Sequence, residues 1–569
     1  MNIILSIGLR NLLRQKRRNI LLGSGIAFGM MILVLAAAFS QGITDVLFNK
    51  VIVYMTGHMQ VAVSEFDKKP VQIIRDKARM EELIRKNVSG IKDIWEDIIG
   101  FARVQGNGKS EFSIVVGLKP EPASFEGVIL LEGSLADFSN GRYAVPMIIY
   151  EKSAHNLKLK LHDTIRMRME TISGQVQTAS GTVVGITKAN SMFEAMTMFM
   201  PLETLKTTLG FKPWETGGLK IMLENPLESI AQADRLHAAM TAGLAVADGT
   251  LAGGGSIRIL GIQTNAQSRE ALARACGISQ AVVTNKGDLP PAFVNRKAAA
   301  DFGLAPGRTI EFTHRMKYNT SPVVHRATVA GVFEGLADEH VLLLREHEFN
   351  PMILKHVPAA GKTAFTPDKS PLAGHLSREW RLLPRSGTSE ELQAKMKQVN
   401  NMRYKGGVID VRTMYESASI ILKLEGALNM ITFVAVLILF FIILVGVVNT
   451  LRMTIRERTR EIGTMRAMGM QQKDVRNVFL LETLFLGLFA SIAGVIIGLI
   501  LMVILGSISM DGNSALGMLL VNGKLYFLPT FGSILGNMVF ITLLTLSTAW
   551  FPARRAARLD AARALRHYE

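Results

Sequence analysis

The chain has 569 residues, 49% of them hydrophobic, and a formal net charge of +17, enough length for several domains. A single cysteine, Cys276, excludes an intrachain disulfide, so any globular part must stand on its apolar core. The excess charge does not form a nucleic-acid surface: segments 1–18, 449–480 and 552–569 carry net +5, +4 and +3, together +12 of the +17, and each flanks an apolar run. Membrane topology explains that placement, and no nucleic acid is implied.

In chain order, Leu5, Leu9 and Leu12 share one helical face among basic residues, the pattern of an interfacial helix against membrane lipid. Ile20 to Phe39 follows as an uncharged run. Its basic lead (Arg14, Lys16, Arg17, Arg18) and Ala36-Ala37-Ala38 raise the alternative of a signal peptide. A secretory apolar core is only about 7–15 residues long, which favours an uncleaved anchor. Three more runs, Met430–Val448, Leu484–Leu505 and Gly532–Phe551, also reach the roughly 20 residues that cross a bilayer as a helix. Four transmembrane helices are expected. Arg and Lys beside the short loops put both termini and the 449–480 loop in the cytoplasm, and 43–426 outside it.

Within the long segment, Gly106-Asn107-Gly108-Lys109-Ser110 resembles the end of an ATP-binding loop. The position where the loop needs its first glycine, five before Gly108, holds Arg103, and Phe112-Ser113-Ile114-Val115-Val116 continues as a strand where a helix is needed. A turn between two strands is expected instead, and no ATP site of the chain's own.

Two stretches look duplicated. "PMIIYEKSAHNLKLKLHDTI" from Pro146 and "PAFVNRKAAADFGLAPGRTI" from Pro291 share six of 20 positions at a spacing of 145 residues. "IVVGLKP" at Ile114 matches "RILGIQT" at Arg258, and "GTVVGIT" at Gly181 matches "ATVAGVF" at Ala327. A collinear set of three matches points to internal duplication. Each copy reads as strand, short helix, turn and two strands, an α+β pattern.

The expected domains are 1–43, an amphipathic helix and the first membrane helix; 44–247, a first extracytoplasmic module; 248–426, a second module and stalk; and 427–569, three more membrane helices. From Val411 to Val448 the pattern reads as one helix about 57 Å long, with a break near Gly426 as the alternative. Met196, Met198 and Met200 fall on one face of a possible strand, where core packing competes with a soft-metal site. The 11 histidines are scattered, and no enzyme active site is expected.

The C-terminal third carries the most specific pattern: Glu457-Arg458-x-x-Glu461-Ile462-Gly463-x-x-Arg466-Ala467-x-Gly469, and a proline-then-basic ending from Pro552. These residues resemble the FtsX-like, MacB-type permeases of ABC transporters, the mechanotransmission family that includes the lipoprotein-releasing permeases. The four-helix layout agrees, as does a "G-R-Y" followed by a turn, although His162-Asp163 stands where the family has Gly-Asp.

The resemblance implies a permease of the bacterial inner membrane with no catalytic, cofactor or metal site of its own. It implies pairing with a second permease chain, as homodimer or heterodimer, and a separate ATPase that holds ATP and Mg. Glu457, Arg458, Glu461, Ile462, Gly463, Arg466, Ala467 and Gly469 would couple to that ATPase. Leu451, Ile455, Ile462 and Met465 give the segment one apolar side; Arg456, Arg460 and Arg466 give it charge. The expected outcome is export or release of lipoproteins or other amphiphiles, with a chaperone as an extracytoplasmic partner; the alternative is a relay that activates a cell-wall hydrolase without transport.

Overall fold

The computed structural model describes residues 16–46, 56–121, 130–188, 196–284, 287–319, 321–359, 364–508 and 524–558, with a few isolated positions between them. The expected interfacial helix around Leu5, Leu9 and Leu12 lies outside these residues. The chain forms two compact units: a mixed α/β unit of residues 52–188 and 195–419, and a helical unit containing the N-terminal helix and residues 420–569.

Both similar stretches of the α/β unit fold into six-stranded rings. The first contains β1 (Ile99–Gly106), β2 (Lys109–Leu118), β3 (Pro146–Tyr150), β4 (Thr164–Glu170), β5 (Val176–Thr187) and β6 (Thr197–Pro201). The second contains β7 (Val246–Leu251), β8 (Ser256–Ile262), β9 (Pro291–Asn295), β10 (Thr309–His314), β11 (His325–Phe333) and β12 (Val341–Arg345). The spatial order is β1-β2-β6-β3-β5-β4 and back to β1; adding six to each number gives the second ring. Pairing senses agree throughout, including the parallel pairs β2–β6 and β8–β12. The irregularities agree too. A register shift falls between Met147 and Ile148 in one ring and between Ala292 and Phe293 in the other, 145 residues on.

The duplication also explains the departure at His162. Its φ is +68°, as Gly307 at the equivalent turn is at +89°. Histidine tolerates this left-handed region better than most side chains. Its amide donates to Val183 O at 2.7 Å, as Gly307 donates to Val329 O at 2.8 Å, and its ring stacks on Tyr143 with Nδ1 3.0 Å from the phenol oxygen.

The cores differ in filling. Met147 pairs with the space over Gly181, whose added Cβ would lie 2.6 Å from Met147 Cγ, while the second ring has Ala292 and Ala327 there. Moving volume from one side chain to its neighbour keeps the interior close-packed. Met198 and Met200 are fully buried in the first core, and Met196 is exposed; the two in the strand are packing residues. Asn107 and Gly108 form the turn joining β1 and β2, both at positive φ, so the Gly-Asn-Gly-Lys-Ser stretch is a hairpin.

A third element of this unit was not foreseen as one body. Strands 381–382, 406–413, 59–66, 218–223 and 91–96 lie side by side in that order, with 70–72 also on 59–66. The first strand of the unit therefore pairs antiparallel with its last over eight residues, Met59–Phe66 against Thr413–Gly406. Buried Val408, Ile409 and Val411 hold the last strand in the sheet. This corrects the expected helix start at Val411: β-branched residues continue the strand to Thr413. Thr413 and Glu416 then form a capping box that starts a helical turn.

The helical unit contains α1 (Lys16–Val46), α2 (Ser419–Glu457), α3 (Thr459–Ala467), α4 (Gln472–Ser507) and α5 (Phe531–Ala557). Among the described residues, three helices are long and apolar enough to cross a membrane: Asn19–Asp45, Gln472–Ser507 and Phe531–Ala557. The fourth expected span, Met430–Val448, lies inside α2, which runs unbroken through Gly426.

Small residues set how closely α4 approaches its neighbours, as membrane helices require. At Gly494 an added Cβ would lie 2.8 Å from Met30 Cβ on α1 and closer still to the Ala27 carbonyl oxygen. At Gly487 it would make ordinary contacts with Thr545 of α5, the nearest at 3.6 Å. Gly494→Ala is therefore expected to lower stability by about 1–3 kcal/mol through overpacking, while Gly487→Ala is tolerated. Thermal unfolding in detergent micelles checks the contrast; equal melting temperatures for the two variants would refute it.

Candidate functional site

The coupling residues occupy the connection between α2 and α4. The helix α2 continues past the apolar run to Glu457, and Arg458 (φ −97°, ψ 14°) ends it. The next nine residues form α3, and Gly469 reverses the chain at φ +96°. A side chain is strained in that conformation, which glycine adopts freely. Gln471 and Asp474 then cap α4 reciprocally. The connection thus bends at Arg458 and reverses at Gly469.

One side of α3 faces inward. Ile462 is fully buried against Val475 and Phe479 of α4 and Ala553, Ala556 and Ala557 of α5, with Ile455 and Met465 at the edge. Gly463 is buried beside it. The proline-then-basic ending has a structural role here: Pro552 lies within α5, and the alanines after it leave room for α3. The side chain of Leu451 lies outside the described residues.

Arg458 is also directed inward. It is 6% exposed, its Nη1 donates to Glu482 Oε2 at 3.1 Å, and Glu461 Oε2 lies 3.9 Å from its Nε. Sequence reasoning missed Glu482, although an acid directly after the apolar Val478-Phe479-Leu480-Leu481 of α4 was a visible signal. Arg466 is half-buried and donates through Nη1 to Met470 O at 3.2 Å, closing the turn around Gly469.

The opposite side is exposed: Met453, Arg456 and Glu457 on α2, then Arg460, Glu461, Thr464 and Ala467 on α3, ending at Met468, 79% exposed, and Gly469. These residues recur at three- and four-residue spacing and form one mixed-charge ridge. The eight candidates thus divide. Glu457, Glu461, Ala467 and Gly469 are presented outward; Ile462, Gly463 and Arg458 fix the ridge to α4 and α5, and Arg466 shapes its end. Near the same helix ends, Arg476 lies 4.8 Å over the Trp550 ring and Arg555 4.5 Å over Phe551, attractive cation–π placements.

The α/β unit separately contains a cleft of about 1100 Å³ whose lining includes Trp380, Tyr404 and Met402 beside Arg345, Arg381 and Glu346. Burial raises the Glu346 carboxyl above its ordinary range, opposed by a backbone hydrogen bond and nearby Arg381. Aromatic and thioether surface next to charge suits a molecule with both apolar and polar parts.

Residues 433–561 match the FtsX-like permease C-terminal family, and residues 20–242 match the MacB-like periplasmic core domain. The second ring falls between the two matched stretches. An ABC transporter permease of Methanocaldococcus jannaschii is 33% identical over 21% of this chain and 29% of its own length. A pyoverdine export ATP-binding/permease protein of Pseudomonas syringae pv. tomato is 33% identical over 21% of this chain and 16% of its own. A macrolide export ATP-binding/permease protein of Nitrosomonas europaea is 34% identical over 20% and 15%. The chain thus covers less than a third of each of these relatives.

Proposed function

Because the chain carries an FtsX-like permease domain and a MacB-like periplasmic core domain, and so belongs with the MacB- and FtsX-type permeases, we propose that it is the membrane subunit through which a separate ABC ATPase drives an extracytoplasmic event. In this reading α2 supplies the fourth span, both termini and the α2–α4 connection are cytoplasmic, the membrane is the bacterial inner membrane, and two permease chains act together. ATP and Mg stay on the ATPase. The observation that carries the reading is the exposed ridge of Glu457, Arg460, Glu461, Ala467 and Met468, anchored from behind by Ile462 and Arg458.

The mechanism follows from connectivity. A push on the ridge moves α3 and the end of α2 together, because Arg458–Glu482 and the Ile462 cluster tie them to α4 and α5. At its other end α2 begins one residue after a turn that is capped onto strand 406–413, and that strand pairs with 59–66, the entry strand of the α/β unit. An unbroken helix of 39 residues is about 58 Å long and transmits displacement as a rod.

The transported molecule in this reading is an amphiphile, a lipoprotein among the candidates. The cleft beside Trp380 and Tyr404 supports it, and two relatives are named as pyoverdine export and macrolide export proteins. The continuous α2 rod favours the second reading, a relay to an extracytoplasmic partner such as a hydrolase. The first test is retention of the ATPase. Glu461→Lys and Glu457→Lys reverse exposed ridge charges, and like charges meeting at an interface cost several kcal/mol. Pull-down of the ATPase is expected to fall at least about tenfold with normal amounts of permease in the membrane. Undiminished retention by both variants would refute the ridge as the docking surface.

A further inference from the structure

The ends of α4 and α5 carry a group of arginines that the coupling ridge does not use. In the last turns of α5, Ala549, Pro552, Ala553, Ala556 and Ala557 are buried, while Trp550, Phe551, Arg554, Arg555 and Arg558 are exposed. Small residues on one face and aromatic and basic residues on the other divide a spanning helix into a packed side and a lipid-facing side. Each exposed ring has an arginine four residues on, its neighbour along the helix surface: Arg554 follows Trp550, and Arg555 follows Phe551 with its guanidinium carbon 4.5 Å from the ring centroid. From α4, Arg476 sets its guanidinium carbon 4.8 Å from the Trp550 centroid. Trp550 thus has an arginine of α4 over its ring and one of its own helix a turn beyond.

Length sets the depth of these side chains. Phe531 to Phe551 carries no charge and is about 31 Å of helix, the thickness of a bilayer's hydrocarbon core. Trp550 and Phe551 therefore end the span at the interface, the level that aromatic side chains favour. Arg554 and Arg555 lie one turn, about 6 Å, further on, within a headgroup layer about 5–7 Å deep on each side. The contact with Trp550 puts Arg476 at the same level. Among the described residues Arg476, Arg554, Arg555 and Arg558 form no ion pair. Arg476 Nη2 reaches only the Asn477 amide oxygen, at 3.5 Å, and its Nε is buried without a hydrogen-bond partner. Four like charges at the same helix ends repel one another, and an anion among them relieves that repulsion.

We propose that the ends of α4 and α5 form a binding site for an anionic phospholipid, its headgroup phosphate held by Arg476 and Arg554 and its acyl chain lying along Trp550 and Phe551. A guanidinium presents two parallel N–H donors to a phosphate, a match that lysine lacks. The occupant is a lipid because the surface below the arginines is apolar and continues along the exposed side of α5 through Leu543 and Phe540; a soluble phosphate compound has nothing to place there. The headgroup carries net negative charge, since a zwitterionic one brings its own cation into a site that is already positive. The site rests on reading α4 and α5 as membrane spans, and it needs no ATPase.

Trp550 reports on the site directly, because the other three tryptophans, Trp95, Trp214 and Trp380, belong to the α/β unit. The full chain is reconstituted in vesicles of phosphatidylcholine and phosphatidylglycerol, with bromine in the acyl chains of one lipid or the other, and quenching of tryptophan emission is compared. Phosphatidylglycerol is expected to be preferred beside Trp550 by at least about fivefold, and the preference should fall as salt is added. Arg476→Gln and Arg554→Gln should each at least halve it. Arg554 is exposed, so its variant keeps the test valid where Arg476→Gln fails to fold. Lys109→Gln, in an exposed turn of the first ring, should change nothing. Equal quenching by the two lipids in the wild type, or an unaltered preference in Arg554→Gln, would overturn the proposal. So would loss of the ATPase in pull-down by Arg554→Gln with the lipid preference intact, which assigns these arginines to the docking surface. The vesicles contain no ATPase, so this site and the ridge fail independently.

Discussion

Replacing Glu482 by leucine is expected to destabilise the helical unit by about 3–5 kcal/mol, the cost of removing one partner from a buried ion pair. Arg458 is 7% exposed at its side chain and Glu482 11%, with 3.1 Å between Nη1 and Oε2. Glu461 lies at 3.9 Å but is half-exposed, so water screens most of what it offers in return. Arg458→Met likewise leaves one buried charge without its partner and is expected to cost a similar amount. In the double variant Arg458→Met/Glu482→Leu no buried charge remains, and most of the stability should return. Melting of the four proteins in micelles gives the coupling energy directly. A single-variant loss below about 1 kcal/mol would place the pair in the class of weak surface bridges and remove it as the anchor of the ridge. ATPase retention separates the two roles: the double variant should still bind the ATPase if Arg458 only positions α3.

A proline inside α2 is expected to abolish the extracytoplasmic function while ATPase activity persists. The residue matters. Ser419 is the first residue of α2, where proline is tolerated, so Ser419→Pro mainly loses the hydroxyl that accepts from Ser389 N at 2.9 Å. Ala427 is exposed and lies well inside the helix. Ala427→Pro removes a backbone donor and clashes with the Lys423 carbonyl, about 3 kcal/mol or more concentrated at one point of the rod. The expected result is ATP hydrolysis near the wild-type level in the reconstituted complex, with release or partner activation lost. Ala427→Leu, which keeps the helix, should behave as wild type. Full function in Ala427→Pro at normal membrane levels would show that α2 is not the transmitter, whichever cargo or partner is involved.

Whatever depends on local chemistry was legible along the chain. Length and apolarity marked the helices, because a bilayer allows few other spanning structures. Arg103 and the strand after Ser110 were enough to reject a nucleotide loop, since that loop needs a glycine and a helix at fixed places. The duplication was legible because both copies fill the same ring, so Thr164 and Thr309 or Ile165 and Ile310 face the same constraint twice.

Features that depend on residues far apart in the chain emerged only from the fold. The β-branched Val411 and Thr413 favour a strand only weakly; pairing with 59–66, some 350 residues earlier, makes the stretch one. The motif could not reveal that Arg458 faces inward, because its partner Glu482 lies 24 residues on, a full helix turn-back away. Nor could the basic ending announce that Arg476 joins it: Arg476 meets Trp550, some 70 residues on, because α4 and α5 pack side by side. Periodicity and motifs report on the neighbours a residue has along its own helix or strand. Burial and charge pairing depend on what the fold places across from it.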